Sequence, residues 1–174
     1  MRKADFKKMM IYKIYPKYLK YLNKIDSEVF YSEHYELKTK PFLGIIVSLS
    51  ENVEYFIPFT SPKNKHENWS KRSKRYMFIF DEKDEVIGLL DFRKIIPVKE
   101  EFFSELNIDE SFDIKYKSLI KKQLLFCRKQ KNKIVENIEF VYSEQVIGKR
   151  VLKYHCDFLK LEKAMKNYLT SNQF

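Results

Sequence analysis

The sequence contains few of the residues that break up a compact fold. Its 174 residues include 3 glycines and 5 prolines, which leaves little room for linkers between domains. We therefore predict a single domain over residues 1–174, long enough to bury its own core. Residues 1–8 precede the first strand-like run and are a candidate N-terminal extension.

Cysteine and histidine are also scarce. The two cysteines, Cys127 and Cys156, lack CxxC spacing, and the three histidines lie far apart in the sequence. This arrangement predicts neither a disulfide framework nor a metal site. Because the sequence also lacks a Walker loop and a GxGxxG motif, we predict no cofactor.

Long apolar runs are absent as well. No run approaches the length that spans a bilayer, and the basic N-terminus lacks the apolar stretch of a signal peptide. We therefore expect a cytoplasmic protein.

Positive charge is what the chain has in excess. Its 34 basic residues outnumber 24 acidic residues, which gives a net charge of +10. This excess favours a polyanionic partner, either nucleic acid or an anionic membrane surface. A generic basic protein is the alternative, since A·T-rich codon usage produces a similar composition.

The period of the hydrophobic pattern changes along the chain. Aromatic and β-branched runs predict strands over 9–15, 42–49, 53–60, 76–81, 86–92 and 94–98. Apolar residues at helical spacing predict helices over 16–26, 100–108, 113–134, 135–149 and 156–170. Strands first and helices second predict an α+β domain, with an antiparallel sheet or partial barrel in the first part.

One predicted strand ends in an unusual polar cluster. The run "EYFIPF" is followed by Thr60, Ser61 and Pro62, and then by Lys63. Hydroxyls and an ammonium at one spot suit a phosphodiester, because they donate to its oxygens and offset the charge of a pentacoordinate transition state. With RNA, the neighbouring 2′-hydroxyl already supplies the nucleophile. The alternative is an ordinary turn, for which the same residue types are common.

A predicted helix carries a second candidate surface. Lys117, Lys121 and Arg128 share one face and could follow phosphates, or they form an ordinary solvated face. Tyr116 and Gln123 fall on the opposite side, where they either line a cleft or form a satisfied core pair. Aromatic side chains that could stack on bases are Tyr18, Tyr21, Tyr31, Tyr35 and Trp69.

Four segments of the chain resemble the type III toxin–antitoxin endoribonucleases, the ToxN/AbiQ family. They are "YKIYPKYLKYL", "FLGIIV…YFIPFTSPK", "GLLDFRKIIPV" and "YKSLIKKQLLFCR". The resemblance implies a compact, partly closed antiparallel β-barrel, similar to MazF-like toxins, that is flanked by helices and has a helical C-terminal half. It implies sequence-specific, metal-independent cleavage of cellular or phage RNA, leaving a 2′,3′-cyclic phosphate and a 5′-hydroxyl. It also implies a repeated pseudoknot RNA antitoxin that the protein processes and assembles with into a closed complex.

The resemblance also implies roles for individual residues. Thr60, Ser61 and Lys63 match the active-site positions of the family, with Lys63 expected to stabilise charge. Tyr18, Lys40 and Tyr116 resemble family positions near the RNA groove. The residue pattern adds further candidate RNA-binding residues: Lys65, His66, Lys117, Lys121, Gln123 and Arg128. His66 is also a candidate acid or base. A non-catalytic RNA-binding module is the alternative function, and a binder of membrane surfaces or acidic proteins is a third.

Overall fold

A computed structural model describes residues 9–34, 42–50, 53–110 and 113–172. Residues 1–8, the candidate extension, lie outside that part of the chain. The described strands are β1 (Tyr12–Ile14), β2 (Leu43–Ser50), β3 (Val53–Thr60), β4 (Tyr76–Phe80), β5 (Val86–Asp91), β6 (Ile96–Val98) and β7 (Phe103–Glu105). The described α-helices are α1 (Pro16–Ile25), α2 (Ile114–Lys129), α3 (Lys131–Gly148) and α4 (Phe158–Ser171).

The seven strands form one antiparallel sheet, which confirms the predicted α+β class. The strand order is β4-β5-β3-β2-β1-β7, and β6 also pairs with β3. The outermost strands, β4 and β7, do not pair with each other among the described strands, so the sheet is open. The expected partly closed barrel is therefore not shown.

Strand β3 changes its partner part way along its length. Glu54 to Phe56 pair with β6, whereas Phe59 and Thr60 pair with Leu90 and Leu89 of β5. Between these stretches lies Pro58, which has no N–H to donate to a ladder. Pro58 therefore lies in the short stretch of β3, Ile57 and Pro58, that separates its pairing with β6 from its pairing with β5.

The opposite neighbour of Pro58 is a glycine on β2. A Cβ built on Gly44 would lie 1.9 Å from the carbonyl oxygen of Ile57 and 2.6 Å from the ring of Phe56. Only a residue without a side chain permits this approach of β2 to β3. Gly44 and Pro58 together set the path of β3 just before it reaches Thr60.

Two hydrophobic clusters hold the helices on the sheet. The larger joins buried residues of the sheet to those of α1, α3 and α4. The smaller contains Ile11, Leu43, Ile120 and Leu124, with Phe59 and Tyr116 among the residues packed against it. This smaller cluster ties α2 to the end of β3. Helix α2 begins after Asp113, whose carboxylate accepts a hydrogen bond from the backbone N–H of Tyr116 at 3.0 Å.

The helix predicted over 100–108 is wrong. Glu100–Phe102 form a single 3₁₀ turn, and Phe103–Glu105 form β7, which pairs with β1. Here the pairing of β7 with the open edge of β1 outweighs a short helical pattern. The other predicted strands and helices are confirmed, with end points shifted by a few residues. No helix of the described ranges is long and apolar enough to cross a membrane.

Candidate functional site

The end of β3 brings the predicted hydroxyls and ammonium to the surface. Thr60 is half-buried and pairs with Leu89, while Ser61 and Lys63 are exposed. Within the described part of the chain, no side-chain hydrogen bond or ion pair occupies Thr60, Ser61 or Lys63. Two adjacent hydroxyls, and an ammonium that follows them after Pro62, are therefore available to bind an anion at the end of a buried strand.

A short turn fixes the chain immediately after Ser61 and Pro62. The backbone N–H of Lys63 donates to Nδ1 of His66 at 3.1 Å, and the backbone N–H of His66 donates to the Lys63 carbonyl at 2.8 Å. The residues between them form a 3₁₀ turn, Asn64–His66. His66 itself is buried, with 4% of its surface exposed. Its imidazole therefore contacts the Lys63 backbone rather than solvent.

An aromatic and cationic stack lies beneath the turn. The ring of His66 is 4.5 Å from that of Trp69, which is 4.6 Å from that of Tyr76. The guanidinium of Arg93 lies 4.7 Å from the centre of the Trp69 ring. Its Nε and Nη2 donate to the two carboxylate oxygens of buried Asp91 at 2.8 and 2.7 Å. Trp69 therefore contacts both the turn, through His66, and the Asp91–Arg93 pair, and these contacts support the turn.

Charge around His66 keeps its imidazole neutral. Burial lowers the pKa of His66 below the usual 6.5, and the nearby cations Lys65, Lys63 and Arg93 lower it further, while Asp91 opposes them. The site therefore combines exposed lysines with a neutral histidine at neutral pH.

The far end of the basic loop, residues 61–75, is tied to helix α3. Arg75 Nη2 donates to Oε1 of Glu144 at 2.6 Å, and Lys74 contacts Glu136 at 3.5 Å. The loop is thus anchored at both ends, by the His66 turn and by α3. Lys65, Lys71 and Arg72 remain exposed along it, so the loop that follows Thr60 and Ser61 presents cations to solvent.

The predicted basic face of α2 is only partly available. Nζ of Lys117 and Nζ of Lys121 both lie 3.2 Å from Oδ1 of Asp109, so the two lysines do share a face, but with a carboxylate between them. Asp109 comes from a separate turn, Ile108–Glu110. The guanidinium of Arg128 donates to the carbonyl of Met9 at 3.1 Å. Arg128 therefore contacts the segment before β1, and Lys117 and Lys121 contact the turn before α2.

Gln123 and Tyr116 separate into different environments. Nε2 of Gln123 donates to the carbonyl of Ile87 at 2.9 Å, and the side chain is 5% exposed. It is therefore the satisfied core residue of the two alternatives, and its predicted RNA contact is corrected. Tyr116 is half-buried beside the cluster that includes Phe59, and desolvation raises the pKa of its phenol to about 12.

Tyr18 is also corrected. Its side chain is 1% exposed, its hydroxyl donates to the carbonyl of Pro97 at 2.7 Å, and its ring stacks on Phe102 at 4.2 Å. Such a ring has no face open to a base. Tyr21 is half-buried and donates to the carbonyl of Ala164 at 2.9 Å. Two predicted positions, Tyr35 and Lys40, lie outside the described residues.

A separate cavity lies away from this strand end. It encloses about 710 Å³ and is lined mainly by α1 and α4, including Tyr15, Lys17 and Tyr168. None of the residues from Thr60 to His66 lines it. In the described ranges, no group of three or more His, Cys, Asp and Glu side chains could hold a metal ion.

Asp91 and Arg93 are the site residues that the sequence reasoning missed. Asp91 is the last residue of β5 and Arg93 lies in the turn that follows it. A carboxylate and a guanidinium two residues apart at the end of a strand were the available signal, in the segment "LLDFRK". Their pairing with the aromatic loop crosses more than twenty residues of sequence, so no local pattern indicates it.

Known proteins resemble this chain in sequence and in fold. The family model for the ToxN toxin of type III toxin–antitoxin systems matches residues 10–166. The chain is 30% identical to endoribonuclease ToxN of Bacillus thuringiensis subsp. kurstaki over 165 residues, which cover 90% of this chain and 82% of that protein. It is also 30% identical to endoribonuclease ToxN of Pectobacterium atrosepticum over 164 residues, 92% and 94% of the two chains.

A solved structure gives the same result for the fold. The protein in a structure of a bacterial antiviral system regulated by a processed non-coding RNA superposes with a TM-score of 0.81 and 27% identity, covering 91% of this chain and 98% of that one. The α+β fold is that of a toxin of a bacterial toxin–antitoxin system. The chain belongs to the ToxN family, the toxins of type III systems, which confirms the resemblance found in the sequence.

Proposed function

We propose that this protein is a sequence-specific, metal-independent endoribonuclease with Thr60, Ser61 and Lys63 at its active centre. The observation that carries the proposal is the placement of two hydroxyls and an ammonium at the exposed end of β3, beside a cationic loop. Two relatives that align over most of their length are named endoribonucleases, which supports RNA cleavage by this chain.

The reaction needs an attack by a 2′-oxygen on the adjacent phosphorus. An O2′–P bond forms and the P–O5′ bond breaks, which leaves a 2′,3′-cyclic phosphate and a 5′-hydroxyl. The 2′-hydroxyl loses a proton and the departing 5′-oxygen gains one. The phosphorus passes through a pentacoordinate transition state that carries more negative charge on its oxygens than the substrate does.

Each of the three residues has a role that its position permits. The ammonium of Lys63 offsets the charge that develops on the non-bridging oxygens. The hydroxyls of Thr60 and Ser61 donate to the same phosphate and hold it in line for attack. Lys65 and the exposed cations of the loop bind the neighbouring phosphates, so they contribute affinity that weakens with salt.

The regulatory partner in this proposal is an RNA. The structurally similar protein described above belongs to an antiviral system regulated by a processed non-coding RNA. We expect this chain to cut a repeated antitoxin RNA into pseudoknot units, to assemble with them into a closed protein–RNA complex, and to be inhibited in that complex. The same active centre then serves both antitoxin processing and cleavage of cellular or phage RNA.

The test is cleavage of a long single-stranded RNA in EDTA. Wild-type protein should cut it and leave 5′-hydroxyl ends, which polynucleotide kinase labels without prior phosphatase treatment. Ser61→Ala and Lys63→Ala should each lower the rate by about 10²- to 10³-fold, as the loss of a transition-state donor does elsewhere. Both side chains are exposed, so melting temperatures should stay unchanged.

Lys163→Ala is the matched control. Lys163 is an exposed lysine on α4, and this helix contacts β6 near the Tyr55 end of β3. Its removal changes the net charge as Lys63→Ala does but leaves the Thr60 end intact. A requirement for added Mg²⁺, or 5′-phosphate ends, would refute the mechanism. RNA that binds with a steep salt dependence and stays uncut would instead identify a non-catalytic RNA-binding module.

A further inference from the structure

The imidazole of His66 faces the backbone of the active-centre lysine. Nδ1 accepts the hydrogen bond from the Lys63 N–H at 3.1 Å, and the His66 N–H returns a bond of 2.8 Å to the Lys63 carbonyl. Both polar groups of the Lys63 main chain are therefore held by one residue. The side chain of Lys63 leaves this closed ring toward solvent.

The hydrogen bond defines the protonation state of the ring. A nitrogen that accepts from an N–H carries no proton, so the neutral ring of His66 has its proton on Nε2. The side chain is 4% exposed and packs on Trp69. The charged groups that face it are Lys63 and Lys65 of its own loop, and Asp91 and Arg93 from the end of β5. Three of these four groups are cations, which oppose protonation of the ring.

We infer that His66 is a positioning residue, whose neutral Nδ1 holds the backbone of Lys63 and thereby fixes the point from which the Lys63 ammonium reaches the scissile phosphate. This inference deepens the proposed function and depends on it. It replaces both roles expected from the sequence, direct contact with RNA and general acid or base.

Geometry separates this role from direct proton transfer. A general base needs an open nitrogen with a free lone pair, and in His66 one nitrogen is occupied while the other carries the proton. Protonation of Nδ1 would set an N–H against the N–H of Lys63. The turn would then lose the hydrogen bond from the Lys63 N–H. The cleavage rate should therefore fall as the pH drops below the pKa of His66, which is itself lower than 6.5.

Three substitutions at position 66 test the assignment. His66→Asn can place an amide oxygen near the position of Nδ1, whereas His66→Gln can place its amide near the position of Nε2. His66→Phe keeps a ring against Trp69 but removes the acceptor. The substrate is a fluorophore–quencher RNA oligonucleotide that carries a cleavage site mapped beforehand on a long transcript with wild-type protein.

The inference predicts that only the asparagine variant rescues the rate. His66→Phe and His66→Gln should lower kcat by about 10- to 100-fold with a smaller change in KM, because a misplaced lysine fails mainly in the transition state. His66→Asn should stay within about threefold of wild type, since the acceptor for the Lys63 N–H is retained. The rate of His66→Asn should also not decrease at low pH, as the wild-type rate is expected to, because the amide does not titrate.

The opposite pattern would overturn the inference. Rescue by glutamine and not by asparagine would assign the function to Nε2, and a wild-type rate in His66→Phe would remove any role for the ring. Melting temperatures report whether the variants fold, and if His66→Phe does not, the asparagine and glutamine pair still decides. Absence of cleavage by wild type would instead reject the proposed function itself, so the two failures are distinguishable.

Discussion

The two ends of strand β3 are built in opposite ways. At the Tyr55 end, β6 and α4 cover the strand, and the buried Tyr55 hydroxyl donates to Oε1 of Glu162. Tyr142 donates to the same oxygen at 2.9 Å. At the Thr60 end, the side chains of Thr60, Ser61 and Lys63 have no such partner in the described chain. Hydroxyls that are satisfied internally stabilise the fold, and hydroxyls left at a strand end are available to a ligand.

Burial explains the difference in acid–base chemistry between the ends. Desolvation and the neighbouring Glu162 raise the pKa of Tyr55 well above its usual value, so this phenol stays protonated and serves as a donor. The lysines of the Thr60 end are exposed and are not desolvated in this way. The comparison predicts that substitutions at the Tyr55 end change stability, while substitutions at the Thr60 end change activity.

Gly44→Ala should have the largest effect because it would break both ends at once. The new Cβ would lie 1.9 Å from a backbone oxygen of β3, so a strand must shift, and we expect a loss of at least about 3 kcal/mol in the free energy of unfolding. Urea unfolding measures this loss. Gly148→Ala is the control, since nothing lies within 4 Å of its Cβ. Equal stability of the two variants would mean that β2 and β3 do not approach as described.

Arg93→Ala should come next, and it should damage the Thr60 end in particular. It leaves the carboxylate of Asp91, whose side chain is 3% exposed, without its bidentate partner, and breaking such a pair costs about 3 kcal/mol or more. It also removes the cation from Trp69, so RNA cleavage should fall together with the melting temperature.

Arg93→Lys sharpens this second prediction. Lysine keeps the charge but cannot form the two parallel hydrogen bonds or stack flat on the indole. We expect stability between those of wild type and the alanine variant. Full cleavage activity in Arg93→Ala at a temperature where it is folded would show that the stack beneath the turn does not support the site.

Tyr55→Phe should have the smallest effect, and it should be confined to stability. The ring and its packing stay, while Glu162 keeps one of its two phenolic donors, so a loss of about 1–2 kcal/mol is expected for the missing hydrogen bond. Cleavage measured well below the melting temperature should match that of wild type. A drop in cleavage at full folding would contradict the separation of the two ends.

The sequence indicated the Thr60 end well because its signal is local. A hydrophobic strand of eight residues and the polar residues that follow it are contiguous, so β3 and its exposed end could be predicted together. The strand partners of β3 were not predictable in the same way. The role of Pro58 in the gap between β5 and β6 depends on segments that lie more than thirty residues away.

The Tyr55 end was harder because its contacts join segments that lie far apart in the sequence. The segment 100–108 was predicted as a helix, but β7 and the turn before it place Phe102 against Tyr18. No local pattern indicates this contact, so Tyr18 was predicted to be available to a base. Likewise, the basic face of α2 was predictable from spacing, but its carboxylate partner Asp109 comes from another segment. Long-range contacts decided each of these cases.

The open sheet has a consequence for how copies of this chain could join. Its described outermost strands are short, five residues in β4 and three in β7. Strand β6, which pairs with β3, also has three residues, and α2 contacts β4. Unpaired backbone groups on long, flat borders are what recruit a second molecule by strand addition. Strands this short offer few backbone groups for such pairing. A larger assembly of the proposed kind would therefore be joined through side chains that bind a shared polyanion. Removal of that polyanion should then separate the assembly into single chains.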